Sequence, residues 1–252
     1  MNSATINPEE TGGTRRQWGF TTWSQRTASL VAGVALALMA VLSGFANFGA
    51  IVPLIAQGDA VQTAENIFAS PFLFWSGGVS FVAVALLDIL VAGALYVLLR
   101  PVNRRLSAAA GWLRAVYALL LMAAVSQLMI GFSLLDDPEA ALPVLESFNT
   151  IGVISQGLFG VSLLLVGYLA FRSGFMAKVF GILLAVAGVG YVADAIGVAV
   201  IPGFTAVFAQ FLFMGEVVII FWLLIKGRRL PLRQGARDTD GVPVGSSTRE
   251  AA

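Results

Sequence analysis

Residues 72–105 read FLFWSGGVSFVAVALLDILVAGALYVLLRPVNRR, and this run decides the fold. Up to Leu99 it is apolar except for small serines, Asp88 and Tyr96. A helix of that length, rising 1.5 Å per residue, exceeds the ~30 Å hydrocarbon layer of a bilayer, so the run is a membrane span. It stops at Arg100, Pro101, Arg104 and Arg105, and arginines clustered at one end of a span assign that end to the cytoplasm. Within the span lies Asp88, at a depth where an ionised side chain costs about 2.5–3.5 kcal/mol on the mildest scale.

Composition extends this reading to the whole chain. The 252 residues are 58% hydrophobic and 12% charged, with a mean hydropathy of +0.87, against about 25% charged in an average soluble domain. A water-soluble core does not account for that. The net charge is only +1, yet the charges are segregated along the chain, and their distribution says more than their sum. There is no cysteine and no histidine. Disulfides, thiolate nucleophiles and every histidine-containing metal site or triad are thereby removed, leaving carboxylates as the acid–base groups near neutral pH. Basic residues are almost all arginine, with lysine only at Lys178 and Lys226, a usage associated with GC-rich bacterial genomes.

Six apolar windows are long enough to cross, allowing for tilt: 28–52, 72–99, 108–135, 151–171, 177–201 and 204–225. The basic residues test this count independently. Arg15, Arg16 and Arg26 precede the first window, and Arg100, Arg104 and Arg105 lie between the second and third, with Arg114 just inside the third. Arg172 and Lys178 bracket the turn between the fourth and fifth, and Lys226, Arg228, Arg229, Arg233, Arg237 and Arg249 follow the sixth, which accounts for all 15. The other loops carry only acids, Asp59, Glu65, Asp136, Asp137, Glu139 and Glu146. With both termini cytoplasmic, the positive-inside rule is then met at every loop.

The predicted fold class is all-α: a polytopic membrane protein, a bundle of six transmembrane helices with two short outer-loop helices. Residues 1–27 are a polar cytoplasmic segment in which Trp18, Phe20 and Trp23 interleave with arginines as an interfacial anchor. Residues 28–226 are the six-helix transmembrane domain, and 227–252 a disordered cytoplasmic tail whose first arginines meet anionic headgroups. The sequence TRRQW at 14–18 faintly resembles a twin-arginine export signal, but with five more spans following, an uncleaved first helix is the better reading. In the outer loops, Asp59 with Gln62 forms a capping box for a short helix through Ala69. Asp137, Pro138 and Glu139 place a cap, a first-turn proline and an acid for another.

Asp88, Asp194 and Glu216 lie inside the second, fifth and sixth windows, and Arg114 about two turns into the third. Such groups face the bundle interior and are paired or neutralised. Small neighbours agree with this: Asp88 shares a helix face with Ala85 and Ala92, and Asp194 with Gly190 and Gly197. Counting helical rise from the cytoplasmic ends, Asp88 is ~18 Å deep, Glu216 ~15 Å and Asp194 ~24 Å. The long Arg114 side chain, starting ~9 Å up, reaches either of the first two. The expected buried polar cluster is therefore Asp88, Arg114 and Glu216, with Tyr96 or Tyr117 as a hydrogen-bond partner. Asp194, one turn beyond Tyr191, is a secondary buried polar position facing an outward-open cavity.

One arginine does not neutralise two carboxylates, so one of them is expected to carry a proton. The competing readings are a cluster that only holds helices in register and an Arg114 that snorkels to the headgroups. Ala177, Gly181, Ala185 and Gly188, and Gly157 and Gly160, recur at helix-packing spacing, while Trp75, Trp112 and Trp222 suit interfacial belts.

Sharper chemistries fail on the residues. An intramembrane aspartyl protease needs two aspartates at one depth and a contiguous Gly-x-Gly-Asp, whereas residues 188–194 read GVGYVAD and Asp194 lies ~6 Å above Asp88. Serine-protease, phosphate-loop and dinucleotide signatures are absent. No catalytic residue, metal site or cofactor is expected, and nothing points to nucleic acid.

A set of stretches in fixed order carries a further signal: TAENI at 63–67, DILVAGALYVLLRPVNRR at 88–105, RAVY at 114–117, GILLAVAGVGYVAD at 181–194 and GEVVIIFWLLIKG at 215–227. Over roughly 25–227 the chain resembles a bacterial family of six-span integral membrane proteins catalogued as a domain of unknown function. The resemblance implies a polytopic membrane protein with Asp88, Arg114, Asp194 and Glu216 as its characteristic polar positions and no assigned activity or cofactor. Three functions follow from the residues: binding or relay of a proton or small cation through the buried carboxylates, a structural or regulatory bundle, or a lipid-modifying enzyme with a carboxylate base. The expected partners are the lipid bilayer and a proton or small cation, with a second copy of the chain as a further candidate. The expected location is the bacterial plasma membrane.

Overall fold

A computed structural model describes residues 23–208 and 214–226, with side chains of the second segment from Glu216 onward. The expected N-terminal anchor up to residue 22 and the tail from 227 lie outside the described residues. What is described is helical throughout: α1 (Gln25–Leu54), α2 (Ala60–Ala69), α3 (Pro71–Leu99), α4 (Arg104–Ser133), α5 (Pro138–Arg172), α6 (Lys178–Val200) and α7 (Met214–Ile225). Five of these, α1, α3, α4, α5 and α6, are long and apolar enough to cross a membrane. Where the sequence predicts a sixth span over 204–225, the structure describes the apolar 12-residue helix α7, ~18 Å long. Phe204 is not helical, and its ring packs over Gly197.

The helix starts are written in short polar side chains, which satisfy backbone N–H groups that have no partner within the helix. Ser24 accepts from the N–H of Thr27, Asp59 from Gln62, Asn103 from Arg105 and Leu106, and Asp137 from Ala140. The expected capping box at Asp59 is one-sided, because the Gln62 amide turns forward to Asn66 at 3.0 Å. Between these signals the long helices are apolar on every side, as expected where one face meets lipid and the other a packed interior.

The second outer-loop helix does not stand apart. It is the first part of α5, which runs unbroken for 35 residues, about 52 Å against a ~30 Å hydrocarbon layer. A hydropathy window marks where the surroundings of the side chains change and says nothing of where the backbone hydrogen bonding begins. α2 packs against α5, and Glu146 on α5 accepts from the Gly58 N–H at 3.1 Å, fastening the turn before α2.

Consecutive long helices are antiparallel. Gly77 on α3 faces Ala50 and Ile51 on α1, Tyr96 on α3 faces Ser107 on α4, and Gln127 on α4 faces Ser147 on α5. Gly160 and Gly167 on α5 meet Gly188 and Gly181 on α6 backbone to backbone. α7 packs on both α6 and α1, and Ser29 on α1 donates to the Leu223 carbonyl at 3.1 Å. The helices α1, α3, α4, α5, α6 and α7 therefore form a closed ring in chain order. Alternation places Arg26, Arg100, Arg104, Arg105, Arg172, Lys178 and Lys226 at one end of the ring, and Asp59, Glu65, Asp136, Asp137, Glu139 and Glu146 at the other.

Of the three tryptophans expected at interfaces, Trp75 and Trp112 are exposed on the surface. Trp222 is not: it is buried between Phe175 and Phe180, with ring centroids 6.2 and 6.0 Å away.

Candidate functional site

Side chains from five of the six ring helices meet at the centre of the bundle. Asp88 comes from α3, Arg114 and Tyr117 from α4, Phe159 from α5, Tyr191 from α6 and Glu216 from α7. The first two are placed by the α3–α4 hairpin, whose register also sets the Ser107 hydroxyl 3.1 Å from the Tyr96 carbonyl. Arg114 Nη2 donates to Asp88 Oδ1 in an ion pair whose side chains are 2% and 0% exposed. Burying two charges costs several kcal/mol per ion, which their mutual attraction offsets only with good geometry and further contacts. One such contact is present. The guanidinium carbon lies 4.7 Å from the centroid of the Phe159 ring, close enough for a cation–π attraction.

Phe159 is the pivot of an aromatic row, 5.2 Å from Tyr117 on one side and 5.2 Å from Tyr191, edge to face, on the other. The Tyr191 side chain lies close to the Glu216 carboxyl. Glu216 is half-buried as a residue, and its Oε1 is shut off from solvent with no hydrogen-bond partner. The same is true of Asp88 Oδ2 and Arg114 Nε. Among the described residues these three are the buried side-chain atoms without a partner, and all three belong to this cluster. A narrow crevice runs between α3, α4 and α5 past Ala92, Leu95, Ser107 and Gly111 to Arg114, too tight to hold a water molecule.

The structure thus pairs Asp88 with Arg114 and sets Tyr117 and Tyr191 around them through Phe159, with Glu216 buried within electrostatic reach. Arg114 is turned inward and 1% exposed, not extended to the headgroups. Tyr96 contributes its backbone carbonyl to Ser107, while Tyr117 packs into the cluster. Asp194 sits apart. It is 1% exposed, and its Oδ1 accepts from the backbone N–H groups of Val207 and Phe208 at 3.0 and 3.1 Å, tying the chain that follows α6 back onto that helix.

Phe159 is the participant that sequence reasoning missed. A phenylalanine in an all-apolar helix gives no signal of its own. The signal lay in its neighbours Ser155 and Ser162, both buried, which with Phe159 mark one face of α5 at helical spacing. Ser162 uses its hydroxyl to bond the Ala110 carbonyl of α4 at 3.0 Å.

No solved structure matches the chain. A protein of the archaeon Archaeoglobus fulgidus, described as "Uncharacterized protein", is 35% identical over 147 residues, which is 58% of this chain and 81% of that protein. The family model described as "Domain of unknown function (DUF4386)" matches residues 31–227, a segment that holds every residue of the central cluster. The chain belongs to the DUF4386 family.

Proposed function

We propose that this protein is a six-span protein of a bacterial plasma membrane, with both termini cytoplasmic, and that its central cluster binds or relays a proton or small cation. The observation that carries the reading is the coincidence of the three unpartnered buried atoms, Asp88 Oδ2, Arg114 Nε and Glu216 Oε1, in one cluster. An unmet buried donor or acceptor costs about 1–3 kcal/mol, more when charged, so three in one place are better explained by a role than by packing. Charge supports this as well. Arg114 is engaged by Asp88, which leaves the Glu216 carboxyl in need of a positive partner. A structural or regulatory bundle is the second reading, favoured by the tightness of the crevice beside Arg114.

The deciding experiment follows thermal unfolding of the purified protein against pH and against added Na+, K+ and Mg2+, for the wild type and for Glu216→Gln and Asp88→Asn. A ligand at 100 times its Kd stabilises by about 2.7 kcal/mol, roughly 5–10 °C in Tm at this chain length. A dependence of that size is expected in the wild type and should be lost in Glu216→Gln. A wild type indifferent to pH and to all three ions, with variants that only lose stability, would leave the structural bundle as the function.

Orientation has its own test, made simple by the absence of native cysteine. A single cysteine in place of Asp136 should react with a membrane-impermeant maleimide on intact cells, and one in place of Arg104 only after lysis. The reverse labelling would invert the topology.

A further inference from the structure

We infer that the species held at the cluster is a proton carried by Glu216, and not an alkali or divalent metal ion. This rests on the reading of the cluster as a site and names what occupies it. Three features of the arrangement support the choice.

The first is charge. With Arg114 and Asp88 compensating each other, one further positive charge balances Glu216. A metal ion shared by the two unpartnered carboxylate oxygens would lie against the guanidinium, where like charges in a medium of low dielectric repel strongly. A proton on Glu216 neutralises that acid and adds no second cation beside Arg114.

The second is the donor set. Hard cations take about six or more oxygen ligands, and the unpartnered carboxylate oxygens here number two, Asp88 Oδ2 and Glu216 Oε1. Among the described residues no group of three or more histidine, cysteine, aspartate or glutamate side chains could hold a metal. The third is size. The crevice beside Arg114 is too narrow for water and so for a hydrated ion, whereas a proton bound to a carboxyl needs no cavity of its own.

The groups that face Glu216 are consistent with this. α6 presents Tyr191, whose hydroxyl can serve a protonated or an ionised carboxyl equally well, as donor or acceptor. α4 presents Arg114 and Tyr117, and α3 presents Asp88. α5 contributes the uncharged Phe159 ring. The titratable residue of α1 is Arg26, which with Lys178 and Lys226 lies at the basic end, away from the cluster.

Infrared difference spectroscopy of the protein in lipid nanodiscs, titrated with pH, tests the inference. The wild type should show a carboxylic C=O stretching band that vanishes reversibly as the pH rises. That band should be absent from Glu216→Gln, persist in Asp88→Asn, and move in frequency in Glu216→Asp, a variant that keeps an acid should the amide fail to fold. Its midpoint should stay fixed when K+ is exchanged for Na+, Li+ or Mg2+ at constant ionic strength. A midpoint that falls by one pH unit for each tenfold increase of one ion would overturn the proton assignment and keep the site, now as a metal-ion site. No titrating band, no ion dependence and a Glu216→Gln protein indistinguishable from wild type would remove both.

Discussion

Replacing Arg114 with glutamine should destabilise the protein by about 3–5 kcal/mol, because it leaves the Asp88 carboxylate buried without its counter-charge. In a chain of this length that is roughly 6–20 °C in Tm. The double variant Arg114→Gln with Asp88→Asn should recover most of the loss. Neither amide carries a charge that needs an opposite one. The single and double variants together with Asp88→Asn form a thermodynamic cycle, and thermal unfolding in a mild detergent should give a coupling well above 1 kcal/mol, as expected for side chains in direct contact. A single variant that unfolds within a degree of the wild type would mean that the ion pair contributes nothing to the fold.

The second large effect is expected at the seam between α5 and α6. A Cβ on Gly181 would stand 2.5 Å from the Gly167 carbonyl oxygen and 2.7 Å from the Phe171 backbone nitrogen, and neither of these atoms can swing aside as a side chain tip could. Gly181→Val therefore forces the two helices apart. The cost should reach or pass the upper end of the 1–3 kcal/mol typical of overpacking, read as a lower Tm and a lower yield of folded protein. Gly152 on α5 is the control, with nothing within 4 Å of its added Cβ. Gly152→Ala should be neutral or gain up to about 1 kcal/mol from helix propensity. Equal losses at the two positions would show that the close approach of α5 and α6 is not what glycine provides.

How much of this was written in the sequence depends on the kind of signal. Five of the six windows were legible as long helices because lipid imposes a length and a hydropathy that few other constraints imitate, and 72–99 and α3 differ by one residue at the start. The pairing of Asp88 with Arg114 was legible for a related reason: in an apolar bundle ionisable groups are scarce, and depth alone selects which can meet. The extent of α5 was not legible, since Glu146, Ser147, Asn149 and Thr150 look like loop to a hydropathy window and are ordinary helix once they stand clear of the lipid. The job of Asp194 was hidden for another reason. Val207 and Phe208 reach it through backbone N–H groups, which every residue but proline carries and no sequence pattern advertises. Trp222 shows the same limit, because tryptophan suits both a headgroup interface and a cleft between two phenylalanines.

The circular order of the helices has a consequence for how the molecule is made. Each helix packs on the one synthesised just before it, so the ring can be built in chain order as successive hairpins, each with a place already waiting. The Asp88–Arg114 pair belongs to an early hairpin and is complete long before the C-terminal helix emerges. That last helix lies between α6 and α1 and delivers Glu216 to a centre already assembled. In chain order, Glu216 therefore follows both members of the Asp88–Arg114 pair, so the surplus acid is added to charges already compensated.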